Sequence, residues 1–330
     1  MRLLLLALLV PVPPGHAAAA WESCLVIAHR GASGYLPEHT LPAYRLAIQL
    51  GADFIEPDLV QTRDGVLVAR HDVVLSSSTN VADLREFSGK RRRRTVGATE
   101  IDDWFVDDFT LAELQRLRAR ETRPAVRPGN TVFDNAFAIP TFAEVIGLAS
   151  EEGLKRGRPV GIYPELKEPA WFRGRGLDPE QALIAALGAG GIATAGSPVF
   201  IQSFDAESLR RLRPLTPLRL IQLVEAHDDL DLAAIARYAQ GVGAPKQMIF
   251  RGSSFVTAAR AAGLEIHGWT FRAENTYLEA RFQRGSLPAG RGNLAGEIDA
   301  ALKQGMVAFF TDQPDVGRAV CDRRREPPAN

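Results

Sequence analysis

The stretch FIEPDLVQTRDGVLVARHD, residues 54–72, gathers two acids, an Asp-Gly turn and a His-Asp pair. Glu56 and Asp58 are two positions apart, so on a strand both carboxylates point to one face. Asp64-Gly65 suits the positive φ angles of a two-residue hairpin turn. With that tip, paired positions sum to 64 + 65 = 129, and His71 is expected opposite Asp58. Further along, Glu165 and Lys167 in IYPELK share a strand face, and His29-Arg30 close the run LVIAH. Glu56, Asp58 and Glu165, with no cysteine nearby, make a hard oxygen site suited to Ca²⁺ or, second, Mg²⁺. Arg30 and Lys167 add the positive charge that a phosphate needs. His29 and His71 fit a general acid–base pair. Such a set suits cleavage of a phosphodiester. Positive charge offsets the anion while one imidazole deprotonates a nucleophile and the other protonates a leaving alkoxide.

These residues need elements to hold them. Short apolar runs recur at 25–29, 54–59, 160–167, 199–204, 218–224, 241–245, 264–271 and 307–312. Helical patterns at 40–51, 141–153, 178–191 and 254–263 lie between them, each ending near a glycine. Eight strands alternating with helices predict a (β/α)8 TIM barrel, with a doubly wound open sheet as the runner-up. Leu59 and Leu67 are too close in sequence for a parallel crossover, so 66–71 should run antiparallel above the second strand. Residues 73–138, with one expected helix at 110–121, form a long excursion after that strand and are expected to be a cap insertion. The acids, histidines and cations fall at strand C-termini, where such barrels carry their sites. Gln202 ends the fourth strand, Trp269 the seventh and Asp312 the eighth. Trp269 and Phe204 either fill the barrel top or cover a quaternary ammonium by cation–π contact. His267, deeper in its strand, is expected to be structural.

The chain has 330 residues and is 46% hydrophobic, enough for a large core. Lys plus Arg and Asp plus Glu are balanced at 39 each, so no global charge favours nucleic acid, and an anion site must be local. The run GKRRRR, 89–94, reads as a solvated loop or, more sharply, as a lure for anionic substrates. Residues 1–20 have the pattern of a secretory signal peptide, Arg2 and a short apolar run before small residues, so the mature chain 21–330 is expected to be exported. Pro11, Pro13 and Pro14 and the shortness of the run argue against a stable membrane anchor. Cys24 and Cys321 are the two cysteines. In an oxidising compartment, one before the first strand and one after the eighth, they are expected to join at the barrel's bottom face.

The motifs HRGASGYLPEHTLPAY (29–44), GADFIEPDLVQTRDGVLVARHD (51–72), IYPELK (162–167) and FTDQPD (310–315) closely resemble the glycerophosphodiester phosphodiesterases, especially the secreted bacterial type. The resemblance runs through almost the whole mature chain. It implies a TIM barrel with a cap, a divalent cation that is often Ca²⁺, and hydrolysis of deacylated phospholipids such as glycerophosphocholine to glycerol 3-phosphate and an alcohol. By the same resemblance His29 and His71 are catalytic. Arg30 and Lys167 bind phosphate, Glu38 is a further site residue, and Glu56, Asp58 and Glu165 hold the metal. His39 stands where Asn is common. Two other readings remain: a phospholipase D-like or sphingomyelinase D-like lipid hydrolase on the same barrel, and a non-catalytic phosphodiester-binding protein.

Overall fold

The computed structural model describes residues 24–226, 229–251 and 253–325, so the expected leader, 1–20, lies outside the described residues. Thirteen strands occur among them: β1 (Leu25–His29), β2 (Phe54–Glu56), β3 (Asp58–Gln61), β4 (Leu67–Ala69), β5 (Arg92–Val96), β6 (Thr99–Asp103), β7 (Gly161–Ile162), β8 (Glu165–Leu166), β9 (Phe200–Ser203), β10 (Arg219–Leu223), β11 (Gly241–Pro245), β12 (Glu265–Phe271) and β13 (Ala308–Thr311). Parallel pairing runs from β8 through β9, β10, β11, β12 and β13 to β1 and β2. The ring then closes because β2 pairs with β7 and β3 with β8. β2 and β3 are one barrel strand interrupted at Pro57, and β7 and β8 one strand interrupted at Tyr163-Pro164. The architecture is therefore the eight-stranded α/β barrel and not the doubly wound sheet.

Inside the ring, Ile27, Phe54, Tyr163, Phe200, Ile221 and Phe310 form an apolar plug. Tyr163 stacks on Phe200 with ring centroids 5.1 Å apart and meets Phe310 edge-on at 5.0 Å. His267 belongs to this layer, fully buried, with Nδ1 2.7 Å from the Tyr163 hydroxyl, which fits the structural role expected of it. The outer strand faces pack on helices such as Leu41–Gln49 and Phe142–Arg156. The second of these runs past Gly153, where the sequence suggested its end, to a left-handed glycine at 157. A capping box of Thr141 and Glu144 starts it.

The hairpin departs from the expected register by one residue. Leu59 faces Ala69 and Gln61 faces Leu67, so pairs sum to 59 + 69 = 128 and Asp58 lies opposite Arg70, whose N–H donates to the Asp58 carbonyl. The turn has three residues, Arg63, Asp64 and Gly65. Thr62 accepts from the Gly65 N–H, and Gly65 takes φ +83°, the bulged type of hairpin loop. Thr62 Oγ1 bonds both Asp64 and the Val66 N–H, and these contacts select the longer turn.

Residues 73–138 hold an apolar cluster of their own, including Leu75, Phe87, Trp104, Phe105 and Phe109, seated on Val60 and Val68 of the hairpin. The expected helix at 110–121 is only Leu111–Leu114. Its second half is drawn out instead: Ala119 bridges Thr79 and donates to the Phe137 carbonyl, while Arg120 donates to Ser78. Backbone pairing with two flanking segments outcompetes helical propensity there. The arginine run is not a loop. It enters β5, whose partner β6 supplies Asp102 and Glu100 to Arg91 and Arg93, and Arg94 pairs with Asp107 and Asp108. These acids offset the local charge that had suggested a lure.

Cys24 and Cys321 form a disulfide with Cα atoms 5.6 Å apart, tying the chain just before β1 to the helix Pro314–Arg325. The bond closes a loop across a sequence separation of 297 and constrains the unfolded chain by about 6 kcal/mol in the chain-entropy model. Reduction should lower the melting temperature by roughly 10 °C, read by calorimetry with and without reductant. kcat at moderate temperature should stay unchanged, because the bond lies at the end of β1 opposite His29.

Candidate active site

The interruption at Pro57 sets Glu56 and Asp58 at the point where β2 hands over to β3, and β8 opens there with Glu165. One oxygen from each of the three carboxylates lies within 4.8 Å of the others, and all three side chains are buried. Each has a partial partner. Asp58 Oδ2 is 3.2 Å from Arg30 Nε and 2.9 Å from His39 Nε2. Glu165 Oε1 is 2.8 Å from Lys167 Nζ. Glu56 accepts from the Arg30 N–H at 2.8 Å and from Gln202 Nε2 at 3.1 Å.

These partners do not balance the cluster. Burial, together with the neighbouring Asp58 charge, pushes the Glu165 carboxyl up to about 8, although Lys167 opposes the shift. Burial, Asp58 and Glu165 likewise raise Glu56 well above the carboxylate range. Burial also works against charge on Asp58, but Arg30 and Lys167 outweigh it and hold that group well below its ordinary value. A buried acid cluster that retains a proton near neutrality fits a hard divalent cation, which would take the proton's place.

His29 and His71 face the same cavity, of about 690 Å³, with Arg30, Glu56, Glu165 and Lys167 in its wall. His29 Nδ1 is 2.7 Å from Asp312 Oδ1, so Nδ1–H donates to the ionised carboxylate and Nε2 is left as an acceptor. Burial and then Arg30 lower the His29 pKa to about 3, against the pull of Asp312. His71 Nδ1 is 2.5 Å from Asp72 Oδ1 and its side chain is 35% exposed. Burial and Arg30 lower its pKa as well, with Asp72 opposing. His71 reaches the site although Asp58 faces Arg70, because β4 stops at Ala69 and the chain bends at His71.

Gln202, Phe204 and Trp269 also line the cavity. Phe204, 39% exposed, meets Trp269 edge-on at 5.8 Å, and Glu168 and Glu225 share that rim. Asp58 sits just behind the wall in the acid cluster. Glu38 does not face the cavity. Arg30 Nη1 takes its Oε1 at 2.9 Å, while Thr122 and Arg123 take its Oε2, so it orients Arg30 from behind. Sequence reasoning assigned no role to Arg272, Asp312 or His39. Arg272 lines the cavity with its Nε 2.9 Å from Asp312 Oδ2. Its signal was its place directly after β12, at a strand C-terminus. His39, at φ 58°, bridges Asp58 and the Tyr44 hydroxyl.

The family model for the glycerophosphoryl diester phosphodiesterase family matches residues 29–316. This chain belongs to that family. It is 34% identical over 295 residues to the Arabidopsis thaliana glycerophosphodiester phosphodiesterase GDPD6, covering 78% of this chain and 77% of that protein. Two solved structures share the fold. One, described as a putative member from Silicibacter pomeroyi, has a TM-score of 0.69 at 20% identity, with 92% and 95% of the chains covered. An Oleispira antarctica phosphodiesterase in complex with the product sn-glycerol-3-phosphate has a TM-score of 0.66 at 23% identity, covering 90% and 96%. The chain is thus a phosphodiester hydrolase of this family, and its buried triad suits the metal dependence of the group.

The titration of the triad fixes a prediction. A carboxyl raised above its unfolded value stabilises the fold at low pH and loses that contribution as pH rises through its folded value, about 8 for Glu165. Metal-free protein should therefore lose stability as pH climbs from about 5 to 8, and added Ca²⁺ should restore it. Calorimetric titration near pH 7 in buffers of different ionisation enthalpy should show about two protons released per cation bound, from Glu165 and Glu56. Glu165→Gln should weaken that binding. Unchanged cation affinity in this variant would remove Glu165 from the ligand set.

Proposed function

We propose that this chain is an exported, metal-dependent glycerophosphodiesterase that hydrolyses water-soluble glycerophosphodiesters to sn-glycerol 3-phosphate and an alcohol. The observation that carries the reading is the convergence of two differently held imidazoles on one cavity walled by Glu56, Glu165, Arg30 and Lys167. Glu56, Asp58 and Glu165 would hold a divalent cation, Ca²⁺ in preference to Mg²⁺, which supplies charge to offset the phosphodiester. Arg30, Lys167 and Arg272 bind the phosphate oxygens. His29, kept unprotonated by burial and presenting Nε2, serves as the base that takes a proton from the attacking water. His71, closer to solvent and paired with Asp72, donates its proton to the leaving alkoxide. Gln202 keeps Glu56 in place through its amide.

The aromatic pair Phe204 and Trp269, with Glu168 and Glu225 on the same rim, suits a cationic alcohol such as choline. Residues 73–138 serve as a cap that narrows access and excludes large lipids. Secretion follows from the leader pattern of residues 1–20 and the Cys24–Cys321 bond.

The test is incubation with glycerophosphocholine, sphingomyelin or no substrate, with glycerol 3-phosphate and choline assayed separately. Glycerophosphocholine should yield both products, and a chelator should abolish the reaction. His29→Ala and His71→Ala should each lose about 10²–10⁴-fold in kcat while staying folded. Release of choline from sphingomyelin would favour the lipid hydrolase, and no turnover of either substrate would favour a binding protein.

A further inference from the structure

The insertion does more in this structure than roof the barrel. Arg127, 5% exposed, reaches out of it into the barrel mouth. Its Nε and Nη2 engage both oxygens of Glu274 at 2.6 and 3.3 Å, and its Nη1 donates to the Ser33 carbonyl at 2.9 Å. Nη2 also donates to Asp312 Oδ2 at 2.6 Å, while the other oxygen of Asp312 accepts from His29 at 2.7 Å. A carboxylate held at Oδ2 by Arg127 and Arg272 cannot rotate, so the direction of the His29 ring is set by the arginine on the insertion.

The same loop makes a second, parallel connection. Arg123 Nη1 and Thr122 Oγ1 donate to Glu38 Oε2 at 3.0 and 3.1 Å, and Glu38 Oε1 accepts from Arg30 Nη1. The loop that carries these residues is itself braced. Buried Glu121 accepts from Asn130 Nδ2 at 2.8 Å and from the Arg123 N–H at 2.7 Å, and Asp134 caps the Glu121 N–H at 2.7 Å. Bracing of this kind suits a positioning device, since a loose loop could not hold a carboxylate to the tolerance that catalysis needs.

We infer that Arg127 and Arg123 are positioning residues for the reaction, aligning His29 through Asp312 and Arg30 through Glu38, so that the site is complete only with the insertion seated on the barrel. The inference rests on the proposed role of His29. Arg272 also holds Asp312, but it stands in the cavity wall, where substrate competes for it. Arg127 is removed from the cavity and keeps its grip throughout turnover.

The experiment compares full-length wild type with Arg127→Gln, Arg127→Lys and His29→Ala. Near-UV circular dichroism establishes folding, kcat and KM are measured on glycerophosphocholine, and proton NMR follows the low-field Nδ1–H resonance of His29, assigned by its loss in His29→Ala. Arg127→Gln should lower kcat by about 10²-fold with KM changed by less than about threefold, and its low-field resonance should broaden or vanish. Arg127→Lys, which keeps the charge but not the fork, should fall between. A folded Arg127→Gln with wild-type kcat and an intact resonance would overturn the inference. If Arg127→Gln does not fold, Arg127→Lys decides, wild-type kcat overturning it and a lowered kcat supporting it. A near-wild-type rate in His29→Ala would instead sink the proposed mechanism and leave the NMR arm to report on the hydrogen bond alone.

Discussion

Three buried carboxylates that repel one another set the terms for the rest of the molecule. At separations within 4.8 Å, two like charges cost about 3–4 kcal/mol per pair even at an effective dielectric constant of 20. Lys167, Arg30 and His39 each reduce that cost for one acid, but Glu165 and Glu56 keep their protons to unusually high pH. Protonation avoids that repulsion in the metal-free protein, and folding supplies the force that keeps the three groups together in a dry site. It comes from the apolar layer directly beneath, where Phe54, Tyr163, Phe200 and Phe310 interlock, and from the parallel ring closing at β2–β7 and β3–β8. The unbalanced acids are what would draw a cation to the site. A mouth with fully paired acids would have no use for one.

Proline placement makes this arrangement possible. Pro57 and Pro164 interrupt the second and third barrel strands at the same level, and neither can donate a ladder hydrogen bond. Their carbonyls still accept, from the Glu165 and Gln202 N–H groups respectively. The sheet therefore stays joined while its strands are re-aimed. Above the break β3 leaves its neighbour β1 behind, and its free edge takes β4 as an antiparallel partner. That hairpin delivers His71 and provides the apolar seat of residues 73–138. A single pair of backbone interruptions thus produces the metal-ligand geometry, the second imidazole and the platform for residues 73–138.

The barrel and most of its site were legible because periodicity and strand ends report them directly. The weak run at 241–245 became β11 with those bounds, and Glu56, Asp58, Glu165 and Lys167 met where strand alternation put them. What was not legible depends on partners distant in sequence. Asp-Gly allows a two-residue turn, and only Thr62 folding back on Val66 selects three. The segment 115–121 has helical composition, yet Ser78 and Phe137 claim its backbone. Asp312 was visible as a strand end, but its bond to Arg127 spans a separation of 185 residues and no local pattern encodes it. The arginine run is exposed as its composition suggests, but its charge looked unbalanced until its acidic partners on β6 were placed across from it.

The two histidines differ because the elements that carry them differ. His29 ends a central barrel strand, buried on both sides, and its partner Asp312 ends the adjacent strand β13. Two arginines share the other oxygen of Asp312 and hold its carboxyl far below the usual range despite burial. Part of the Asp312 charge is thereby spent on guanidinium groups and less is left to stabilise a protonated imidazole. Burial and then Arg30 keep His29 neutral beside an ionised carboxylate, and this sharing weakens the opposing pull of Asp312. His71 sits past the end of a short hairpin strand, where Asp72, bonded also to Ser77, is open to solvent. Solvent access and Asp72 there oppose the burial and the Arg30 charge that lower the His71 pKa. A dry imidazole at the end of a barrel strand and a wetter one past a hairpin strand follow from those two elements, before any substrate enters.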